Sequence, residues 1–280
     1  MRTSGKISAD QGGTGAGGTG GGGPRWLGAA SLGGLVLLWQ LASLAGLLKP
    51  FYFPQPSRLA TAFWELAREG FPEGIRIWTH MVVTLGRIAQ GYLLALGVAI
   101  PLGIFIGWVP VLDRLTLPLI TFARSVATLS LLPLVIVWFG AGELSKVLLI
   151  AYGCFWVMLT NVIASVKYID PLLIRAARTL EADGLGIFRR VVLPAALPRM
   201  FAGARVALGV GFMVIVGAEM IGTIQGLGAL IMEARTFYRS DISIVGMVVI
   251  GLFGFAISVG LERLERILLP WHRGLESVRR

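Results

Sequence analysis

Six stretches of this chain are apolar for long enough to cross a lipid bilayer, which limits its possible folds more than any other feature. They lie near residues 27–48, 81–108, 118–138, 146–166, 200–222 and 242–261. A helix of about 20 residues, rising ~1.5 Å per residue, crosses a hydrocarbon core of about 30 Å. Such a helix keeps its backbone hydrogen bonds to itself, as lipid requires. With 55% hydrophobic and only 14% charged residues, the composition excludes an ordinary soluble domain. Pro101 and Pro133 fall inside two of the runs, and membrane helices tolerate proline better than soluble ones do. The expectation is an all-α polytopic membrane protein with six transmembrane helices.

A net charge of +10 suggests nucleic acid at first sight, but its distribution points to membrane orientation instead. Segments 1–26, 109–117, 165–200 and 262–280 would share one side and hold 15 Lys and Arg, against seven in the segments of the other side. Positive charge collects in the cytoplasm, so both termini are expected there. No nucleic-acid partner is expected.

The first 24 residues are Gly-rich and have nothing to bury, so 1–24 is expected to be a disordered cytoplasmic tail. Gly13, Gly15 and Gly18 there match a dinucleotide-binding spacing, but the strand and helix that such a site needs are missing. The membrane domain is placed at 25–268, with a basic cytoplasmic tail at 269–280. The lone Cys154 allows no disulfide within the chain and is read as packing in the fourth span. His80 and His272 fall on opposite sides of the membrane. No metal cluster, paired carboxylates or activated nucleophile stands out, so no catalytic residue is expected.

Three connecting segments have local signals. Residues 51–74 contain Pro54 and Pro56, then Ser57 as a candidate N-cap for a short amphipathic helix. Leu59, Phe63 and Leu66 share its apolar face, and Trp64 and Trp78 suit a membrane interface. Asp113 beside Arg114 suggests a tight turn between the second and third spans. About 35 residues separate the fourth and fifth spans, long for a helix connection.

That long segment divides into two helices. Asp170 can cap the first, Pro171 suits its first turn, and Leu173, Ala176, Ala177 and Leu180 follow a helical period. "ADG" breaks it at Gly184, after which Ile187, Phe188, Val191 and Val192 form a second apolar face that Pro194 ends. Small Ala residues ringed by Arg175 and Arg178 fit close docking on a partner protein. An amphipathic segment lying on anionic lipid has the same chemistry.

Charged residues inside spans cost roughly 3 kcal/mol each and usually face the bundle interior. Glu219, near one end of the fifth span, can gate the pathway or pair with an arginine such as Arg87, or be an interfacial carboxylate reaching water. Arg87, Arg124 and Arg205 lie near span ends, where snorkelling to the interface competes with contact to an anionic solute.

The spacing of the long segment resembles the coupling loop of inner-membrane permeases of ATP-binding-cassette importers. In that pattern Glu-Ala-Ala is followed by three residues, Gly, nine residues, Ile, one residue and Leu-Pro. Ala176, Ala177, Leu193 and Pro194 match, and Val191 stands for the isoleucine. Arg175 replaces the acidic residue and Glu181 the glycine, with Gly184 available as a substitute break. "FPQPSRLATAFWEL", "LLPLVIVWFGAGELSKVLLIAYGCFW" and "VGAEMIGTIQGLGALI" extend the resemblance over about residues 50–265, toward the branch importing nitrate, taurine and other sulfonates.

The resemblance implies a transport subunit of a bacterial inner membrane, not an enzyme. It implies a permease homodimer, two ATPase subunits and an extracytoplasmic substrate-binding protein, surrounded by membrane lipid. No cofactor is expected on this chain, because no lysine is followed by Ser or Thr as a phosphate loop requires. ATP and Mg would bind the partner ATPase. The coupling loop is placed at 167–199, with Arg175, Ala176, Ala177, Leu180, Glu181, Gly184, Val191, Leu193 and Pro194 as its coupling residues. Glu219 and Arg87 are the translocation and gating candidates. Taurine, another sulfonate or a nitrate-like anion is the expected solute; a thiamine or riboflavin precursor, or a scaffold without transport, are the alternatives.

Overall fold

The computed structural model describes residues 25–49, 51–72, 74–181 and 183–270. The Gly-rich tail with Gly13, Gly15 and Gly18 lies outside these residues, as does the C-terminal segment with His272. The described residues are mostly helical, with no strand among them. In chain order the helices are α1 (Arg25–Leu44), α2 (Pro56–Arg68), α3 (Ile77–Trp108), α4 (Pro110–Ser125), α5 (Leu132–Phe139), α6 (Glu143–Lys167), α7 (Pro171–Thr179), α8 (Gly184–Ile187), α9 (Leu193–Glu219), α10 (Leu227–Thr236) and α11 (Ser240–Leu268).

Four continuous helices are long and apolar enough to cross a membrane: α3, α6, Gly184–Glu219 and α11. The expected third span is not one straight helix. Val126 and Ala127 leave the helical region, and the chain bends by 79° between α4 and the Thr128–Phe139 segment that ends in α5. Counted as one span, this bent pair is a fifth; in α1 the apolar stretch, Gly33–Leu44, is shorter.

The centre of the bundle is a parallel pair, α3 and α6, with α9 running antiparallel against α6. Close approach follows from a stripe of small residues at every fourth position of α3: Gly91, Ala95, Ala99, Gly103 and Gly107. A Cβ at Gly91 would lie 2.7 Å from the Ile150 side chain, and one at Gly103 would lie 2.8 Å from Val162. In lipid, where burial gives helices no hydrophobic reason to associate, such backbone proximity lets dispersion hold them. Cys154 is fully buried and directs its thiol to the Ala207 carbonyl on α9, 3.2 Å away, as packing requires.

Several local expectations are corrected. The residue preceding α2 is Gln55, not Ser57; Pro56, whose fixed φ suits a first helical position, starts the helix. Its buried residues Ala62 and Leu66 join Leu227, Leu230, Ala234, Ile242 and Val245 in a second core at the end of the bundle opposite the 167–199 loop. No tight turn surrounds Asp113. Only Val109 separates α3 from α4, and Asp113, already helical, pairs with Lys167 at the end of α6. The segment 223–241, between the fifth and sixth apolar runs, contains α10, secured at its end by Arg239. That guanidinium meets Asp241 at 3.1 Å and Glu65 of α2 at 2.9 Å, and these two carboxylates hold it above its ordinary pKa.

Candidate functional site

Local chemistry builds the 167–199 loop much as its sequence suggests at the start and differently at the end. Asp170 caps α7 by accepting the Leu172 N–H at 2.8 Å, and Pro171 fills the first turn. Of the apolar face of α7, only Ala177 turns into the molecule. Leu173, Ala176 and Leu180 are exposed, Leu180 at 83%, and Arg175 beside them is exposed too. An apolar helix face that the described residues leave uncovered is a docking surface in form.

The turn after α7 is made by Glu181 itself, with φ 56°, and not by Gly184. Glu181 thus adopts the left-handed backbone that suits the glycine of the family pattern. Asp183 then caps the next helix through the Gly186 N–H at 3.0 Å, and Gly184 begins that helix instead of breaking one.

Pro194 does not end it either. Its missing N–H and its ring's clash with the preceding turn would break a regular α-helix. Residues Phe188–Val192 widen into a π turn, with the Leu193 N–H reaching back to the Phe188 carbonyl, and the helix runs on. Ile187 and Val192 are buried on the main core, with Phe188 and Val191 against it. Phe188 also meets Trp108 edge to face, ring centroids 5.2 Å apart. The expected second apolar face is present, mounted on a helix continuous from Gly184 to Glu219.

At the far end of that helix lies a cluster of charge. Arg87 of α3 is 4% exposed and does not snorkel. Its Nη1 donates to Glu219 Oε1 at 2.7 Å and to the Gln225 carbonyl at 2.8 Å. Its Nε and Nη2 form a two-pronged contact with Glu143 of α6, at 2.5 and 2.6 Å. Glu219 is 1% exposed, which removes the reading as an interfacial carboxylate. Thr84 Oγ1 lies 2.9 Å from both its oxygens, and the Gly228 N–H donates to Oε2 at 2.9 Å.

The segment after Glu219 is seated on this cluster. The Leu227 N–H donates to Thr84 Oγ1 at 2.8 Å. His80 places Nε2 3.1 Å from the Phe71 carbonyl and Nδ1 beside Gly226, 2.9 Å from its carbonyl oxygen and 3.1 Å from its backbone nitrogen. A Cβ at Gly226, where φ is +130°, would lie 2.4 Å from the Glu219 carboxyl carbon. Arg87, Glu219, Thr84, His80 and Glu143 therefore fix three long helices and the start of α10 at one point.

Of the residues singled out by sequence, Arg87 and Glu219 are brought together, and the loop residues from Arg175 to Pro194 occupy the opposite end of the 184–219 helix. Arg205 pairs with Glu265 at 3.2 Å, and Arg124 is exposed. Glu143, Thr84 and His80 were not anticipated as partners.

Residues 99–274 match the family described as "Binding-protein-dependent transport system inner membrane component". The chain belongs to this family. It is a membrane permease subunit of an ATP-binding-cassette importer, a transport subunit and not an enzyme, and its partners are an ATPase and a substrate-binding protein. It is 34% identical over 247 residues to the taurine transport system permease protein TauC of Escherichia coli, covering 88% of this chain and 90% of that one. The putative aliphatic sulfonates transport permease protein SsuC of the same organism is 34% identical over 239 residues, covering 85% and 89%. The bicarbonate transport system permease protein CmpB of Synechocystis is 33% identical over 249 residues, covering 85% and 86%. The fold of this permease is also that of a chain of the MetNI methionine transporter in an inward-facing conformation, with a TM-score of 0.59 at 20% identity over 68% of this chain and 96% of that one.

Proposed function

We propose that this permease imports taurine or a related aliphatic sulfonate. Two copies would form the pathway, two ATPase subunits would dock on their 167–199 loops, and an extracytoplasmic binding protein would deliver the solute. ATP and Mg would sit on the ATPase, with none on this chain. The six apolar runs would all cross the membrane, with α1 and the bent α4–α5 pair completing the count and both termini in the cytoplasm. On that orientation α7 is cytoplasmic, Glu219 extracytoplasmic, and 1–24 and 269–280 are tails outside the membrane domain.

One observation carries the mechanism: the helix Gly184–Glu219 joins the loop bearing exposed α7 to the buried Arg87–Glu219 cluster without a break. Closure of the ATPase dimer would displace α7, and the helix, hydrogen-bonded onward through its π turn, would carry that displacement toward Glu219. Movement at Glu143, Arg87 and Glu219 would then open or close the outer mouth. ATP acts by favouring one of two arrangements.

Sulfonate is favoured by the relatives named for taurine and aliphatic sulfonates; the bicarbonate relative supports a planar inorganic anion as the second reading. The permease, ATPase and binding protein reconstituted in liposomes should take up labelled taurine only with ATP, with ethanesulfonate competing. ATP-driven uptake of nitrate or bicarbonate with none of taurine would replace the first reading by the second. Native mass spectrometry of the same complex should find two copies of this chain for every two ATPase subunits.

A further inference from the structure

The Arg87 cluster is lopsided in exposure. Glu219, on one edge of the guanidinium, has a fully buried side chain; Glu143, on the other, has a side chain 67% exposed. The Nε–Nη2 edge is therefore covered by a single carboxylate that water reaches. One turn further along α6 stands Lys146, 3% exposed, whose ammonium has one acceptor among the described residues, the Ala141 carbonyl at 3.3 Å. An ammonium has three N–H groups to satisfy. Two buried cations, Arg87 and Lys146, thus stand in the neighbourhood of one exposed acid, and Lys146 has donors to spare.

A carboxylate and a sulfonate present the same feature to a guanidinium: two oxygens at the spacing of its two N–H groups. Glu143, with its side chain 67% exposed, can swing off Arg87 with little desolvation of its own to undo, and the two-pronged contact that it gives up is the one an incoming anion would remake. Glu219 cannot, since Thr84 and the Gly228 N–H hold it in the interior. We propose that Arg87 and Lys146 form an anion-receiving site at the outer mouth of the permease, which Glu143 occupies as a tethered stand-in until an incoming sulfonate displaces it. The exchange swaps one anion for another beside Arg87, so no uncompensated charge is buried. Lys146 would supply the sulfonate's third oxygen with a donor that a carboxylate, with two oxygens, does not use.

This inference rests on the sulfonate reading above for its ligand, not for its geometry. The test uses the permease–ATPase complex in lipid nanodiscs, without binding protein, and follows thermal unfolding against ethanesulfonate, nitrate, bicarbonate and the neutral ethanesulfonamide. Glu143→Gln keeps the shape and removes the competing charge. The half-saturating ethanesulfonate concentration should fall roughly fivefold, the factor an exposed ion pair of ordinary strength supplies. Ethanesulfonamide should have no effect, and adding Lys146→Gln to Glu143→Gln should return the value to that of the wild type or above.

A Glu143→Gln complex that unfolds at lower temperature but responds to every anion as the wild type does would make Glu143 a purely structural partner and overturn the proposal. A response to nitrate or bicarbonate alone, abolished by Lys146→Gln, would support the site while contradicting the sulfonate reading. Wild-type taurine uptake with no anion response in any variant would do the reverse.

Discussion

Arg87 has two acids for partners, and their different burial predicts different consequences for losing each. Glu219→Gln leaves the guanidinium short of a charge in the interior and should destabilise the permease by about 3–5 kcal/mol, read as a lowered midpoint of chemical unfolding in detergent. Glu143→Gln should cost at most about 1 kcal/mol, since its carboxylate is largely in water. Equal costs for the two would contradict the burial difference. A charge within an apolar run made Arg87 and Glu219 visible in the sequence. Their partner Glu143 was not, because an acid at a helix end looks like any other surface residue until a second helix lies beside it. Glu181 shows the complementary case: the family pattern marks its position for glycine, and its φ of 56° explains why. Glu181→Gly should relieve about 1 kcal/mol of left-handed strain, visible as slower proteolysis of the loop between α7 and α8.

At the level of helices, length was legible and continuity was not. Hydropathy identified residues 118–138 as apolar, but it does not register the extended Val126 and Ala127, which turn the chain by 79°. Pro194 misleads in the opposite direction, because a five-residue π turn absorbs the proline that should have stopped the helix. The small-residue stripe from Gly91 to Gly107 was present at a regular spacing of four, yet the chain holds 38 glycines and the stripe does not stand out among them. Its role is testable with a matched pair. Gly103→Leu must push α3 away from Val162 and should abolish recovery of folded permease from membranes. Gly97→Leu, on the same helix with nothing within 4 Å, should be recovered at wild-type yield. Loss of both, or of neither, would contradict the packing described.

Across the whole molecule, the 36 residues of Gly184–Glu219 reach about 54 Å at ~1.5 Å per residue, well beyond the hydrocarbon thickness. One end carries a helix on which Leu172, Leu173, Ala176 and Leu180 are left exposed by the described residues, and the other meets Arg87, Thr84 and the start of α10. On the reading proposed above, the ATPase engages this helix through α7. Ala177 is a poor probe, since it packs inward and its replacement would disturb the loop itself. Ala176 is exposed on the outward face, so Ala176→Asp changes the docking surface alone. In the reconstituted importer, the variant should melt as the wild type does when alone, yet lose both co-purifying ATPase and ATP-driven taurine uptake; wild-type retention and uptake would contradict the account.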